Sequence, residues 1–140
     1  MIEKAAPGRL DLVSWVDLPS HGDARGVLTA VEGGVDVPFE IRRAYFLHHI
    51  MAERGGHAHR ETRQIVVALA GSFELSLCDG CDTRTFLLDS PTRGLLFGPM
   101  LFIRMRAFTP DARAVVLAST HYDSKRSIRS WEEYLEAIAP

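Results

Sequence analysis

Polar and apolar residues alternate with a period of two along most of this chain, the pattern of strands that bury one face. Leu10-Asp11-Leu12-Val13-Ser14-Trp15-Val16 alternates imperfectly and predicts a first strand, ended by a turn at Leu18-Pro19-Ser20-His21-Gly22-Asp23. Arg25 to Glu32 predicts a second strand, with Gly33-Gly34 as its turn. Beyond Val37-Pro38-Phe39-Glu40, the stretch Ile41 to Leu47 sets Arg43, Tyr45 and Leu47 on one face and Arg42, Ala44 and Phe46 on the other. Ile65 to Ala70 is rich in β-branched residues, lacks Pro and ends at Gly71-Ser72, so it reads as a buried strand. Phe73 to Cys78 and Arg84 to Leu88 form a hairpin across Asp79-Gly80. After a turn at Ser90 to Gly94 come Leu95 to Phe97, Leu101 to Phe108 and Ala112 to Ser119, the first two parted by Gly98-Pro99. Short strands recurring at this spacing predict an all-β sandwich or barrel.

Near residue 130 the period changes. Ser130 and Glu133 make a capping box, and Trp131, Tyr134, Leu135 and Ile138 form an i, i+3, i+4, i+7 stripe, so a short amphipathic helix follows the strands.

At 140 residues and 46% hydrophobic, the chain suits a single domain spanning 1–140 with one core. Its net charge of -2, with both signs interspersed, argues against a duplex nucleic-acid or anionic-membrane binder. Cys78 and Cys81 occur as one C-x-x-C on a hairpin turn with no second pair to complete a zinc site, so they read as reduced thiols. Met1 to Pro7 has no apolar signal core, and no run of about 18 apolar residues occurs, which predicts a cytoplasmic protein.

The chemistry concentrates at Gly56-His57-Ala58-His59. On an extended backbone the two histidines share a face, and both rings point into one cavity. Alternation makes Arg43 and Tyr45 candidates for the same cavity. Against this stand the plainer readings of two surface-loop histidines and a core tyrosine. Imidazole titrates near neutral pH, so one ring can act as base while its neighbour acts as acid. Arg25, Arg43 and Arg60 are candidates for phosphate or sugar contacts, since guanidinium pairs bidentately with phosphate oxygens.

His57-x-His59, four residues, Gln64, six residues and Gly71 resemble the first cupin motif, with Gln64 where that motif carries Glu. In the second motif's turn, Gly98-Pro99-Met100-Leu101-Phe102-Ile103, isoleucine stands where cupins carry a further histidine. Two imidazoles without those partners make a poor catalytic metal site, and the expected site is metal-free. Read together, Arg25 to Leu28, Val37 to Tyr45, Gly56 to His59, Asp89 to Leu95, Leu117 to Ser119, Tyr122-Asp123 and Ile128-Arg129 resemble the WxcM-like sugar 3,4-ketoisomerases. The resemblance implies a cupin-type jelly roll with a short C-terminal helix. It also implies isomerisation of dTDP-4-keto-6-deoxyglucose in deoxysugar biosynthesis for surface glycans, no cofactor, and a strand-exchanged homodimer.

By the same resemblance His57, His59 and Tyr45 are catalytic, and Arg25 lines the sugar pocket in the form seen in enzymes giving the galacto product. Gln64, Ile103 and Met105 complete the expected substrate-contacting set. Phe102-Ile103 departs from the family's Trp-His or Trp-Arg, and Phe46 stands where a second tyrosine is frequent. Moving a carbonyl from C4 to C3 needs proton removal at C3, an enediol and protonation at C4. His57 and His59 are the expected proton carriers, with Tyr45 hydrogen-bonding the enediolate or orienting the base. Competing readings are a 3,5-epimerase of the same fold, a non-catalytic nucleotide-sugar binding module, and a metal-dependent oxygenase.

Overall fold

A computed structural model describes residues 2–140. Its strands are β1 (Ser14–Asp17), β2 (Ser20–Asp23), β3 (Gly26–Thr29), β4 (Arg43–Leu47), β5 (Arg54–His59), β6 (Gln64–Ala70), β7 (Phe73–Cys78), β8 (Thr83–Leu88), β9 (Arg93–Phe97), β10 (Phe102–Arg106), β11 (Arg113–Ala118) and β12 (Ser127–Ile128), followed by helix α1 (Trp131–Ile138). Two five-stranded antiparallel sheets, ordered β1-β9-β6-β11-β4 and β12-β5-β10-β7-β8, make up the body. β2 and β3 pair only with each other.

The two sheets face each other across the main core. Leu47, Val66, Ala68, Leu95, Phe97 and Val116 come from the first sheet, and Phe73, Leu75, Leu77, Ile103 and Met105 from the second. Strands buried on both faces read as continuous apolar runs, as β6 does. Its Val66 and Ala68 enter the core, while Ile65 and Val67 pack outward under Leu18, Val37 and Phe39. This is the cupin-type jelly roll the alternation and motifs predict.

Two local readings of the N-terminal region are corrected. Leu10–Leu12 is a turn of 3-10 helix rather than strand, because Leu12 and Val13 donate back to the carbonyls of Arg9 and Leu10. Residues 20–23, expected as a turn, are strand β2, and Asp23 to Gly26 is the tight turn into β3. The Asp23 carboxylate caps that turn by accepting from the Arg25 backbone amide at 2.8 Å.

The helix begins as expected, with Ser130 Oγ accepting from the Glu133 amide at 3.1 Å. The reciprocal bond of a capping box goes elsewhere: the Glu133 carboxylate accepts from the amide of Arg129 at 3.4 Å. Tyr134 and Ala137 are the buried residues of α1, with Trp131 and Ile138 packed beside them, while Leu135 of the expected stripe lies exposed.

Candidate active site

Between the edge strand β4 and β5 lies a cavity of about 490 Å3. β4 contributes Arg43 and Tyr45, β5 contributes Arg54, Gly55, Gly56, His57 and His59, and the segment after β11 contributes Tyr122, Ser127 and Arg129. That segment is fastened across the opening by β12, which pairs Ser127 with His59 and Ile128 with Ala58.

The histidines point inward because of a bulge. Gly55 and Gly56 have φ of 96° and 75°, a region L residues rarely enter, and the register with β10 shifts between Ile103 and Arg104 opposite them. Past the bulge, alternation resumes. Ala58 is fully buried outward against Phe102, Tyr134 and Ala137, while His57 and His59 face the cavity. Their ring centroids stand 4.9 Å apart at 81°.

Electrostatics keep both rings uncharged near neutral pH. Burial lowers the pKa of His57, the Gly55 backbone partly offsets this, and the Arg129 and Arg54 charges push the same way as burial. His59 is held down to about 4, first by burial, then by His57 and by the Arg43 guanidinium. Its Nε2 is buried without a hydrogen-bond partner. Burial raises the pKa of Tyr45 against the opposing pull of Arg43 and Arg54, so its hydroxyl keeps its proton and remains a donor.

The structure thus brings Arg43, Tyr45, His57 and His59 together. Five further candidates lie apart from the cavity wall. Arg25 sits at the tip of the β2–β3 hairpin with its side chain 90% exposed, paired with Asp23 at 2.6 Å. Arg60 follows β5 and is tied to Arg126 through its backbone amide. Gln64 is buried one row along from Tyr45, on the core face of β6. Ile103 and Met105 are core residues of β10. Among the described residues no three His, Cys, Asp or Glu side chains converge as metal donors. Conversely, Arg54, Tyr122, Ser127 and Arg129 line the cavity although strand alternation does not single them out. The bulge hides Arg54 from period-two counting, and Tyr122 and Arg129 are brought in only by the closing segment.

A jelly roll that sets two uncharged imidazoles, two phenols and three guanidinium groups around one cavity is a cupin suited to proton transfer on an anionic substrate. The family model described as WxcM-like, C-terminal (FdtA) matches residues 11–139, and the chain belongs to this family. It is 39% identical over 119 residues to the TDP-4-oxo-6-deoxy-alpha-D-glucose-3,4-oxoisomerase of Aneurinibacillus thermoaerophilus, covering 84% of this chain and 86% of that one. The sugar 3,4-ketoisomerase QdtA of Thermoanaerobacterium thermosaccharolyticum, solved in complex with TDP, superposes with a TM-score of 0.87 at 32% identity, covering 92% of this chain and 96% of that one. The dTDP-6-deoxy-D-glucose-3,5-epimerase of Legionella pneumophila shares the fold alone, with a TM-score of 0.73 at 13% identity over 89% of this chain and 75% of that one.

Proposed function

We propose that this chain is a sugar-nucleotide 3,4-ketoisomerase that converts TDP-4-keto-6-deoxyglucose to a TDP-3-keto-6-deoxyhexose. The carrying observation is the pair of adjacent, uncharged imidazoles in one cavity with a protonated tyrosine. A neutral imidazole accepts a proton from carbon and returns it to the neighbouring carbon. His57 is the base at C3, its ring steadied by the Gly55 backbone. His59 completes the transfer toward C4, and Tyr45 donates a hydrogen bond to the oxygen on which charge develops. The reaction shifts hydrogens within one molecule, so it calls on no redox cofactor. Arg54 and Arg129 meet the diphosphate, for which the planar guanidinium fork is suited.

The enzyme works as a homodimer that exchanges the β2–β3 hairpin. Supporting this, the hairpin pairs with neither main sheet, Val27 and Leu28 on it are exposed, and Phe46 on the outer face of edge strand β4 is 64% exposed. Exchange is also what brings Arg25, remote from its own cavity, to that of a partner. Light scattering tests the assembly: a mass near twice 15.6 kDa, halved by Val27→Asp, supports it, and a monomeric wild type overturns it. No helix among the described residues is long and apolar enough to cross a membrane, and the free thiols of Cys78 and Cys81 fit a reducing cytoplasm.

The activity is tested by incubating the protein with TDP-4-keto-6-deoxyglucose in D2O and following the sugar by proton NMR. A new 3-keto sugar is the expected result, and the C4 configuration is read from the same spectrum. Exchange at C3 and C5 with the carbonyl still at C4 would assign a 3,5-epimerase instead. Sugar returned unchanged while TDP still binds would leave the binding-module reading.

A further inference from the structure

Among the described residues Arg43 is the one arginine set against two aromatic rings. Arg9, Arg25, Arg42, Arg106 and Arg126 pair with carboxylates, whereas Arg43 takes part in none of the ion pairs among the described residues. Its guanidinium carbon lies 5.5 Å from the centroid of the Tyr45 ring and 5.7 Å from that of Tyr122. Two aromatic faces attract the cation and fix its position at the cavity wall. Its Nε is buried there with no hydrogen-bond partner, although buried donors are ordinarily satisfied. The Tyr122 hydroxyl is held in turn by Arg129, which donates to it at 3.4 Å. Arg54 and Arg129 bear on His57, while Arg43 bears on His59 and shares Tyr45 with Arg54.

We propose that Arg43 is a catalytic cation rather than a diphosphate ligand: clamped between Tyr45 and Tyr122, it meets the negative charge that develops on the sugar oxygen as the enediolate forms. This rests on the ketoisomerase reading. In the first step an imidazole takes the C3 proton, the C3–H electron pair becomes the C3=C4 double bond, and the carbonyl π pair moves to O4. O4 then gains a proton while the O3 hydroxyl releases its own. As the C3 carbonyl forms, C4 takes up a proton. One hydrogen has moved from C3 to C4 and one from O3 to O4, and no electrons enter or leave. Arg43 also disfavours a charged His59, so a proton taken up there is readily passed on. A guanidinium does not deprotonate at any working pH and holds its charge through both steps. The titratable and charged groups facing His59 are His57 and Arg54 from β5, Arg43 and Tyr45 from β4, and Tyr122 and Arg129 from the closing segment.

The test compares Arg43→Met and Arg43→Lys with wild type for kcat and KM on TDP-4-keto-6-deoxyglucose, TDP affinity by calorimetry, and the His59 imidazole titration by NMR. Arg43→Met is expected to lower kcat by about 10²- to 10³-fold, as loss of an oxyanion partner does, with TDP affinity kept within about threefold. His59 then titrates at higher pH than in wild type. Arg43→Lys keeps the charge, holds the His59 titration low and recovers part of kcat. The proposal is overturned if Arg43→Met weakens TDP binding and leaves kcat intact, which marks a diphosphate ligand, or if kcat and the His59 titration both stay put. A wild-type protein inert toward this sugar overturns the ketoisomerase reading itself, whatever the variants do.

Discussion

The rings of His57 and His59 meet edge to face, 4.9 Å between centroids, and the first holds the pKa of the second down: burial and then His57 keep His59 near 4. Two imidazoles this close titrate as a unit, because a proton on one disfavours a proton on the other. Substituting either removes half of one proton relay. His57→Asn and His59→Asn are each expected to lower kcat by about 10²- to 10⁴-fold, with TDP binding by calorimetry little changed. The double variant is expected to be scarcely worse than the poorer single one, since residues acting as a unit do not add. Additive losses would show that the two rings serve separate steps.

Burying a neutral His59 also makes stability depend on pH. Its folded pKa of about 4 lies below the ordinary 6.5, so between those values the unfolded chain binds more protons than the folded one. Stability therefore falls as pH drops through that window and levels off below about 4. Between pH 7.5 and pH 5 the loss from this residue is at most about 2 kcal/mol, somewhat less for its partial solvent contact. Urea unfolding of wild type and His59→Asn at both pH values measures it. The variant should show the smaller drop, and equal drops would mean that His59 is not the group responsible.

Gly55 and Gly56 share a backbone region but not a neighbourhood. A Cβ on Gly55 would sit 2.6 Å from the Ile103 carbonyl oxygen and 2.9 Å from the Arg104 Cα, whereas one on Gly56 meets nothing within 4 Å. Gly56→Ala thus bears only the left-handed penalty of about 1–2 kcal/mol. Gly55→Ala adds a backbone clash that must push β5 off β10 and turn His57 out of place. Thermal melts and kcat together should find Gly55→Ala the worse in both, and equal effects would contradict the clash.

This bulge also marks how far the chain could be read unaided. Period two correctly joins Arg43 to Tyr45 and His57 to His59, because each pair lies within an unbroken stretch of strand. Counting back across Gly55-Gly56 puts Arg54 on the wrong face, since the extra residue shifts the alternation by one. Tyr122 and Arg129 escape for a different reason: they reach the cavity through the short β12 pairing, which no local periodicity encodes. Arg25 is tied to the pocket by resemblance alone, and the chain holds it at a hairpin tip. The helix stripe read by spacing holds at Trp131, Tyr134 and Ile138 but takes in Leu135, which is exposed. Which face of an eight-residue helix is buried depends on what lies beneath it, here Ala58, Met100 and Phe102.

That helix is pinned by one hydroxyl. Tyr134 is fully buried, and its Oη lies 2.8 Å from the carbonyl oxygen of Met100 and 3.2 Å from that of Cys78. Met100 itself has φ of 60°, so the loop between β9 and β10 holds a conformation that needs support. Its amide donates to the His59 carbonyl at 2.7 Å, which links the helix anchor to the strand that carries the histidines. Tyr134→Phe keeps the ring packing against Phe102 and Trp131 and removes the hydroxyl's bond, while the Met100 carbonyl still accepts from the Gly8 amide at 2.7 Å. The expected cost is about 0.5–1.5 kcal/mol in urea unfolding. Because the ring still fills its place, kcat at a temperature where both proteins are folded should fall by no more than about twofold. A larger fall would show that the hydroxyl holds the His59 strand in register as well as the helix on its sheet.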